Sequence, residues 1–351
     1  MKQTMLAAIF RGPREFEVTH IPVPQVGPDD VLLRVLACGI CGSDLHGYRS
    51  AQFNAPGQIM GHEFAGEVVA VGPQVAGVAL GARVTGFSIE LCGECYWCRN
   101  GRPGLCPHLF ERYTGYGEPG AFAEYVRIRH ARLNESLFNV PENLDDDTAT
   151  FIEPTGVAMH AVRRAGAAAG SQVLVLGAGV IGNLILQALR TVPVQKVVVT
   201  EVLEHRRALA KQVGADAVID ARSGDLEAAL TRELGEGRTL SGTSTMADIV
   251  IEAAGVPVTI RQALQLVRAG GTVAYVALSE QLAPISTADI VLKDPRIVGV
   301  IGTNMPKGIA ALREGRIQVQ PLISHRFPLA KISEAFALLD RGEGMKVLIY
   351  P

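Results

Sequence analysis

Apolar and polar residues follow two different rhythms along this chain, and the change comes near residue 151. Before it, short apolar runs broken by glycine and proline predict strands over 31–37, 64–71 and 122–128, with few stretches of helical period. After it, strand and helix patterns alternate. They predict a helix over 156–169, a strand over 173–176, a helix over 181–189, a strand over 196–200, a helix over 205–213 and a strand over 217–220. The alternation continues through a strand at 249–252, a helix at 259–268 and a strand at 272–276. These strands are almost continuously apolar, which argues a parallel sheet covered on both faces. From about 293 come a strand at 297–301, helices near 307–313 and 331–339, and a last strand at 346–349. The polar stretch 241–245 reads as a loop. The expected class is α/β: a strand-rich domain from 1–150, a parallel-sheet domain from 151–292, and a closing segment, 293–351, that rejoins the first.

Composition narrows the function. A chain of 351 residues is long enough for two domains, and 48% hydrophobic with 19% charged residues is the make-up of a globular enzyme. A net charge of −2 gives no electrostatic reason to bind nucleic acid or an acidic membrane surface. Residues 1–10 do not form a secretory signal. The longest apolar run, 173–186, is interrupted by three glycines and Asn183, so no spanning helix is expected. A cytoplasmic protein follows. In that reducing compartment the paired C-x-x-C spacing of the six cysteines fits thiolate–metal chemistry better than disulfides.

Four of those cysteines, Cys92, Cys95, Cys98 and Cys106, are packed into fifteen residues. One loop with this spacing wraps four thiolates around one ion, and a closed four-sulfur tetrahedron favours structural zinc. A second constellation is of another kind: Cys41 followed by Ser43 and His46, then His62 and Glu63. Cysteine, histidine and carboxylate together are the ligand set of a catalytic zinc with an open position. No cysteine follows Cys106, so a further ligand from the later chain is a carboxylate, and Glu153 is best placed. The Ser43 hydroxyl is positioned to reach an alcohol held at the metal, and His46 to pass its proton to solvent. Cys38 reads as a packed thiol at a strand end.

The third motif follows the predicted strand at 173–176: Gly177-Ala-Gly179-Val180-Ile181-Gly182. Gly177 permits a tight turn, Gly179 lets backbone approach a pyrophosphate, and Gly182 allows close helix–strand packing. The helix that opens at Val180 and Ile181 offers free N–H groups to phosphate. Glu201 ends the next strand and would accept a ribose 2′-hydroxyl, favouring NAD; Arg206 and Arg207 nearby weigh toward NADP.

With these motifs in order, the chain resembles the zinc-dependent medium-chain dehydrogenases. Cys41 through His46, Gly61 through Glu63, the four-cysteine lobe at about 90–107, and Gly177 through Gly182 all match, and so does the ending Gly344-Met-Lys-Val-Leu-Ile. The resemblance implies a GroES-like catalytic domain split around a Rossmann domain, two zinc ions per chain, and a homo-oligomer, dimer or tetramer. It is nearest the polyol branch of sorbitol, butanediol and threonine dehydrogenases, where a glutamate stands at the Glu153 position. In that branch Glu63 or Glu153 completes the zinc site. The expected reaction passes hydride from a secondary alcohol of a polyol, sugar alcohol or cyclitol to NAD, with an amino alcohol such as threonine as the alternative. The stretch 301–304 departs from sorbitol dehydrogenases, which carry an Arg-Tyr pair there.

Overall fold

The computed structural model describes residues 2–222, 224–240 and 242–351. The chain forms two compact units, Met1–Glu153 with Val319–Pro351, and Pro154–Gln318.

The first unit is built on a seven-stranded sheet. Its central strand, Val31–Gly39, pairs antiparallel with Glu63–Val71, with Tyr125–Ile128 and with the C-terminal strand Lys346–Tyr350. The C-terminal strand arrives by a parallel crossover from Ile323–Pro328 through the helix Ile332–Asp340. A separate two-stranded sheet, Thr4–Gly12 with Glu15–Pro22, packs its apolar face into the same core. Phe10, Phe64, Phe122 and Phe336 are fully buried there, each burial contributing roughly 1.5–3 kcal/mol.

The second unit is a six-stranded parallel sheet in the order Ala217–Asp220, Lys196–Glu201, Gln172–Leu176, Ala247–Glu252, Val267–Tyr275, Arg296–Gly299. Numbered by sequence this is 3-2-1-4-5-6, the doubly wound dinucleotide-binding order. Its central strands bury Val173–Leu176 and Val197–Val199 completely or nearly so, which explains why they read as unbroken apolar runs.

Several boundaries differ from the sequence reading, each for a physical reason. The chain rejoins the first unit at Val319 rather than 293. The strand Arg296–Gly299 adds in parallel beside Val267–Tyr275, which fixes it in the second unit's sheet. The helix expected over 156–169 runs Ile152–Ala165. Pro154 is tolerated in its first turn, and Gly166, at φ 77°, stops it. The helix expected over 259–268 is Pro257–Leu266. Its C-terminal carbonyls, at Leu264 and Gln265, are taken by the buried Lys293 ammonium, which also binds Val267 O. The strand then begins at Val267, earlier than 272. The 241–245 loop is instead largely strand: Gly242–Thr245 pairs antiparallel with Glu236–Thr239, while Ser241 lies outside the described residues.

Candidate active site

At the end of Val31–Gly39 the chain turns into a helix, Gly42–Ser50, that the sequence pattern did not reveal. Of its nine residues only Leu45 and Tyr48 are large and apolar, so periodicity carries no signal. What starts it is capping: the Asp44 carboxylate accepts the Cys41 N–H at 2.9 Å. Cys41 is thereby fixed at the helix N-cap, with Ser43 in the first turn and His46 one turn on.

Glu63 opens the neighbouring strand Glu63–Val71, and His62 immediately precedes it. Gly39 pairs with Glu63, so sheet register alone brings the two segments together. Gly61 enters that strand at φ 94°, and a Cβ there would press on the Phe122 ring and Cys38 Sγ at 2.9 and 3.0 Å. Only glycine passes this point without strain.

The result is a three-donor group. Ligand atoms of Cys41, His62 and Glu63 all lie within 4.8 Å of one another. The imidazole Nδ1 of His62 is buried without a hydrogen bond and sits 3.6 Å from Asp44 Oδ1. A carboxylate beside one ring nitrogen is the arrangement that orients a metal-binding histidine. Thiolate, imidazole and carboxylate, with Asp44 beside Nδ1 and the other ring nitrogen left to the ion, suit a borderline divalent ion such as zinc. Glu153 is not one of the three. It lies beside them, and burial, opposed by His62, pushes its carboxyl up to about 7.

Three neighbours of the group were not foreseen. Lys346, buried in the C-terminal strand, is ion-paired with Glu63 and donates to Ile40 O at 3.2 Å. Burial opposes its charge most strongly, but Glu63, Cys41 and Asp44 together outweigh this and the lysine pKa is raised. Asp44 is the second. Tyr116 is the third: its hydroxyl donates to Ser43 Oγ at 2.8 Å, and its ring stacks on His62 with centroids 5.3 Å apart. The only sequence signal for the first two was their presence inside motifs already quoted, next to the ligands in one case and near the chain's end in the other. Tyr116 gave none.

The four-cysteine lobe closes as its spacing predicts. All four sulfurs lie within 4.8 Å of one another. Cys92 Sγ is 4.0 Å from Cys98 Sγ and 3.6 Å from Cys106 Sγ. A tetrahedron with zinc–sulfur bonds of about 2.3 Å has edges of about 3.8 Å, so the pocket fits the ion. Backbone N–H groups of Cys95 and Cys98 point at Cys92 Sγ and Cys95 Sγ, each at 3.4 Å. The Cys95 N–H holds the Cys92 thiol down to about 7, toward the thiolate that a metal needs. All six cysteines are free; Cys38 is a buried thiol donating weakly to Gly39 O, outside both groups.

In the second unit the three fingerprint glycines have three separate causes. Gly177 has φ 97°, and a Cβ would meet Ala254 at 2.8 Å. A Cβ on Gly182 would collide with Gly177 O. Gly179, the N-cap of Val180–Leu189, has nothing within 4 Å of its Cβ direction: open space at a helix N-terminus, the cradle a pyrophosphate requires. Val180 and Ile181, half-buried, open that helix. Glu201 ends Lys196–Glu201 and bends back to accept the Ala178 N–H at 3.0 Å. It also accepts the N–H groups of Val202 and Leu203, at 2.7 and 3.0 Å. Arg206 follows on the helix Glu204–Gln212.

A dinucleotide fold with a mixed-donor metal site and a closed thiolate site defines a zinc- and nicotinamide-dependent oxidoreductase. Comparison with known proteins gives the particular family. Residues 27–141 match the alcohol dehydrogenase GroES-like domain, and residues 180–314 match the zinc-binding dehydrogenase family. Sorbitol dehydrogenase of Bacillus subtilis is 33% identical over 99% of this chain and 98% of its own length. L-threonine 3-dehydrogenase of Legionella pneumophila is 33% identical over 94% of both chains. A zinc-binding dehydrogenase of Sinorhizobium meliloti, solved bound to NADP, superposes with a TM-score of 0.90 at 33% identity and full coverage of both. The chain belongs to the zinc-dependent medium-chain dehydrogenases, in the polyol and threonine dehydrogenase branch.

Proposed function

We propose that this protein oxidises a secondary alcohol of a polyol, sugar alcohol or cyclitol to a ketone, with NAD as acceptor. The observation that carries the proposal is the cluster of Cys41, His62 and Glu63 donors within 4.8 Å, beside the helix that bears Ser43. When bound, zinc supplies the Lewis acid that acidifies the alcohol hydroxyl, and the nicotinamide supplies the hydride acceptor.

The residues divide the remaining work. Cys41 and His62 hold the catalytic zinc, with Glu63 or Glu153 as the third protein ligand. Ser43 takes the hydroxyl proton on Oγ, and His46, three residues along the same helix, carries it toward solvent. Gly177, Gly179 and Gly182 let the backbone and the Val180–Ile181 helix end meet the cofactor phosphates. Glu201 accepts a ribose hydroxyl and opposes a 2′-phosphate, and Arg206 lies alongside. Cys92, Cys95, Cys98 and Cys106 hold a second zinc whose role is structural.

L-Threonine is the second reading, because relatives with that activity match almost the whole chain. The six free thiols suit a reducing cytoplasm, and no helix among the described residues is long and apolar enough to cross a membrane. The edge strand Arg296–Gly299, with Ile297 and Ile301 exposed, suits pairing with a second copy into a dimer or tetramer.

NADH absorbance tests the reading across polyols, cyclitols, vicinal diols and L-threonine. A secondary polyol or cyclitol alcohol is expected to be oxidised fastest. Cys41→Ala is expected to abolish turnover while NADH binding, followed by fluorescence, survives. Unchanged turnover in that variant, or oxidation of L-threonine alone, contradicts the proposal.

A further inference from the structure

Ser43 stands in the proposed mechanism as the group that receives the alcohol proton, and a lone serine is poorly suited to that task. Its hydroxyl rotates freely and its side chain has three rotamers. In this protein it is not alone. The Tyr116 phenol lies 2.8 Å from Ser43 Oγ. A phenol is a much stronger acid than an aliphatic alcohol, so the tyrosine is the donor and the serine oxygen the acceptor.

Tyr116 is itself held on every side. It is 7% exposed. Its ring stacks on His62 and packs against Phe110 at 4.9 Å and Tyr113 at 5.9 Å. Its backbone N–H is tied to Tyr113 O at 3.0 Å. The flanking Gly115 has φ 84°, and a Cβ on Gly117 would strike the Glu111 carbonyl, so the loop has one path. Ser43, for its part, sits in the first turn of a capped helix. A fixed donor therefore meets a fixed acceptor.

We propose that Tyr116 is a positioning residue that sets the Ser43 hydroxyl for proton transfer. Tyr116 occupies one acceptor lone pair of Ser43 Oγ. The remaining lone pair receives the alcohol proton as the alcohol O–H bond breaks, and the serine's own O–H bond breaks as its hydrogen passes on toward His46, so Ser43 ends as the neutral hydroxyl it began as. The Tyr116 O–H bond stays intact throughout, and its hydrogen bond keeps the accepting lone pair of Ser43 aimed at the alcohol. This inference rests on the reading of Ser43 as proton acceptor.

Tyr116→Phe removes the hydroxyl and keeps the ring on His62. Its kcat is expected to fall about tenfold, the worth of one hydrogen bond, with zinc content, NADH affinity and thermal midpoint unchanged. A double-mutant cycle with Ser43→Ala isolates the link. Tyr116→Phe is expected to cost nothing further once Ser43 is alanine. High-resolution diffraction of Tyr116→Phe reads the same point without turnover, as Ser43 Oγ spread over more than one rotamer. Equal losses in both backgrounds, wild-type kcat in Tyr116→Phe, or an unmoved Ser43 side chain overturns the proposal. Full turnover in Ser43→Ala instead removes the proton-acceptor reading itself, and this inference with it.

Discussion

A carboxylate offers about four acceptor sites, and the protein itself occupies three of those on Glu201 with the N–H groups of Ala178, Val202 and Leu203. One remains for a ribose hydroxyl. The residue ties the fingerprint loop to the end of the next strand, and in the proposed function the same carboxylate opposes a 2′-phosphate. Glu201→Ala is expected to lower the NAD-over-NADP ratio of kcat/KM by about tenfold or more, since a charged hydrogen bond is lost and a repulsion removed. An unchanged ratio would contradict the ribose role. Which residues were legible at this scale follows from distance along the chain. Cys41, His62, Glu63 and the four lobe cysteines announce themselves because ligand chemistry demands particular residue types at short spacing. Lys346 is 283 residues from Glu63, and Tyr116 is 73 from Ser43. No local pattern encodes such pairs; only the folded sheet brings them together.

At the scale of elements, the helix Gly42–Ser50 carries the most chemistry and had the weakest sequence signal. Its nine residues make too little helix to persist alone. Tertiary contacts hold it. Arg49, in its last turn, donates to Asp340 Oδ1 at 2.7 Å, and Arg14 donates to Asp340 Oδ2 at 3.0 Å. Asp340 ends the helix Ile332–Asp340, so one carboxylate clamps that helix to the one bearing Ser43 and to the turn at Arg14. The hydrogen bond from Arg49, then that from Arg14, depresses the Asp340 pKa. A depressed folded-state value means the stabilisation is present above the unfolded pKa of about 3.9 and is lost as pH falls through the folded value. Asp340→Asn is expected to lower stability at pH 7 by under about 1 kcal/mol, the pair being partly solvated. The gap to wild type, measured by denaturant midpoint, should close as pH falls below about 4. A gap that stays constant with pH would assign the loss to packing. By contrast, the central strands of the parallel sheet were legible because both faces are buried, which forces continuous apolar runs that no loop interrupts.

For the whole molecule, a strand-rich unit and a parallel-sheet unit were readable from the patterning, but the point of return was not. Arg296–Gly299 has the composition of a strand in either unit, and only its hydrogen bonding to Val267–Tyr275 decides the matter. The late return also explains how Lys346 reaches Glu63. The strand Lys346–Tyr350 pairs with Val31–Gly39, so it lies in the same sheet as the Glu63–Val71 strand that Glu63 opens. The proposed function depends above all on a metal bound by Cys41 and His62, with Glu63 or Glu153 as the third ligand, separate from a second one proposed for the thiolate lobe. Zinc per chain, measured by elemental analysis on unchelated wild-type and His62→Ala protein, tests this most directly. One zinc ion is expected for each of the two groups in the wild type, with loss of one ion in His62→Ala while the lobe keeps its own. A His62→Ala protein with its full zinc complement, or a wild type that carries zinc in the lobe alone, would contradict it.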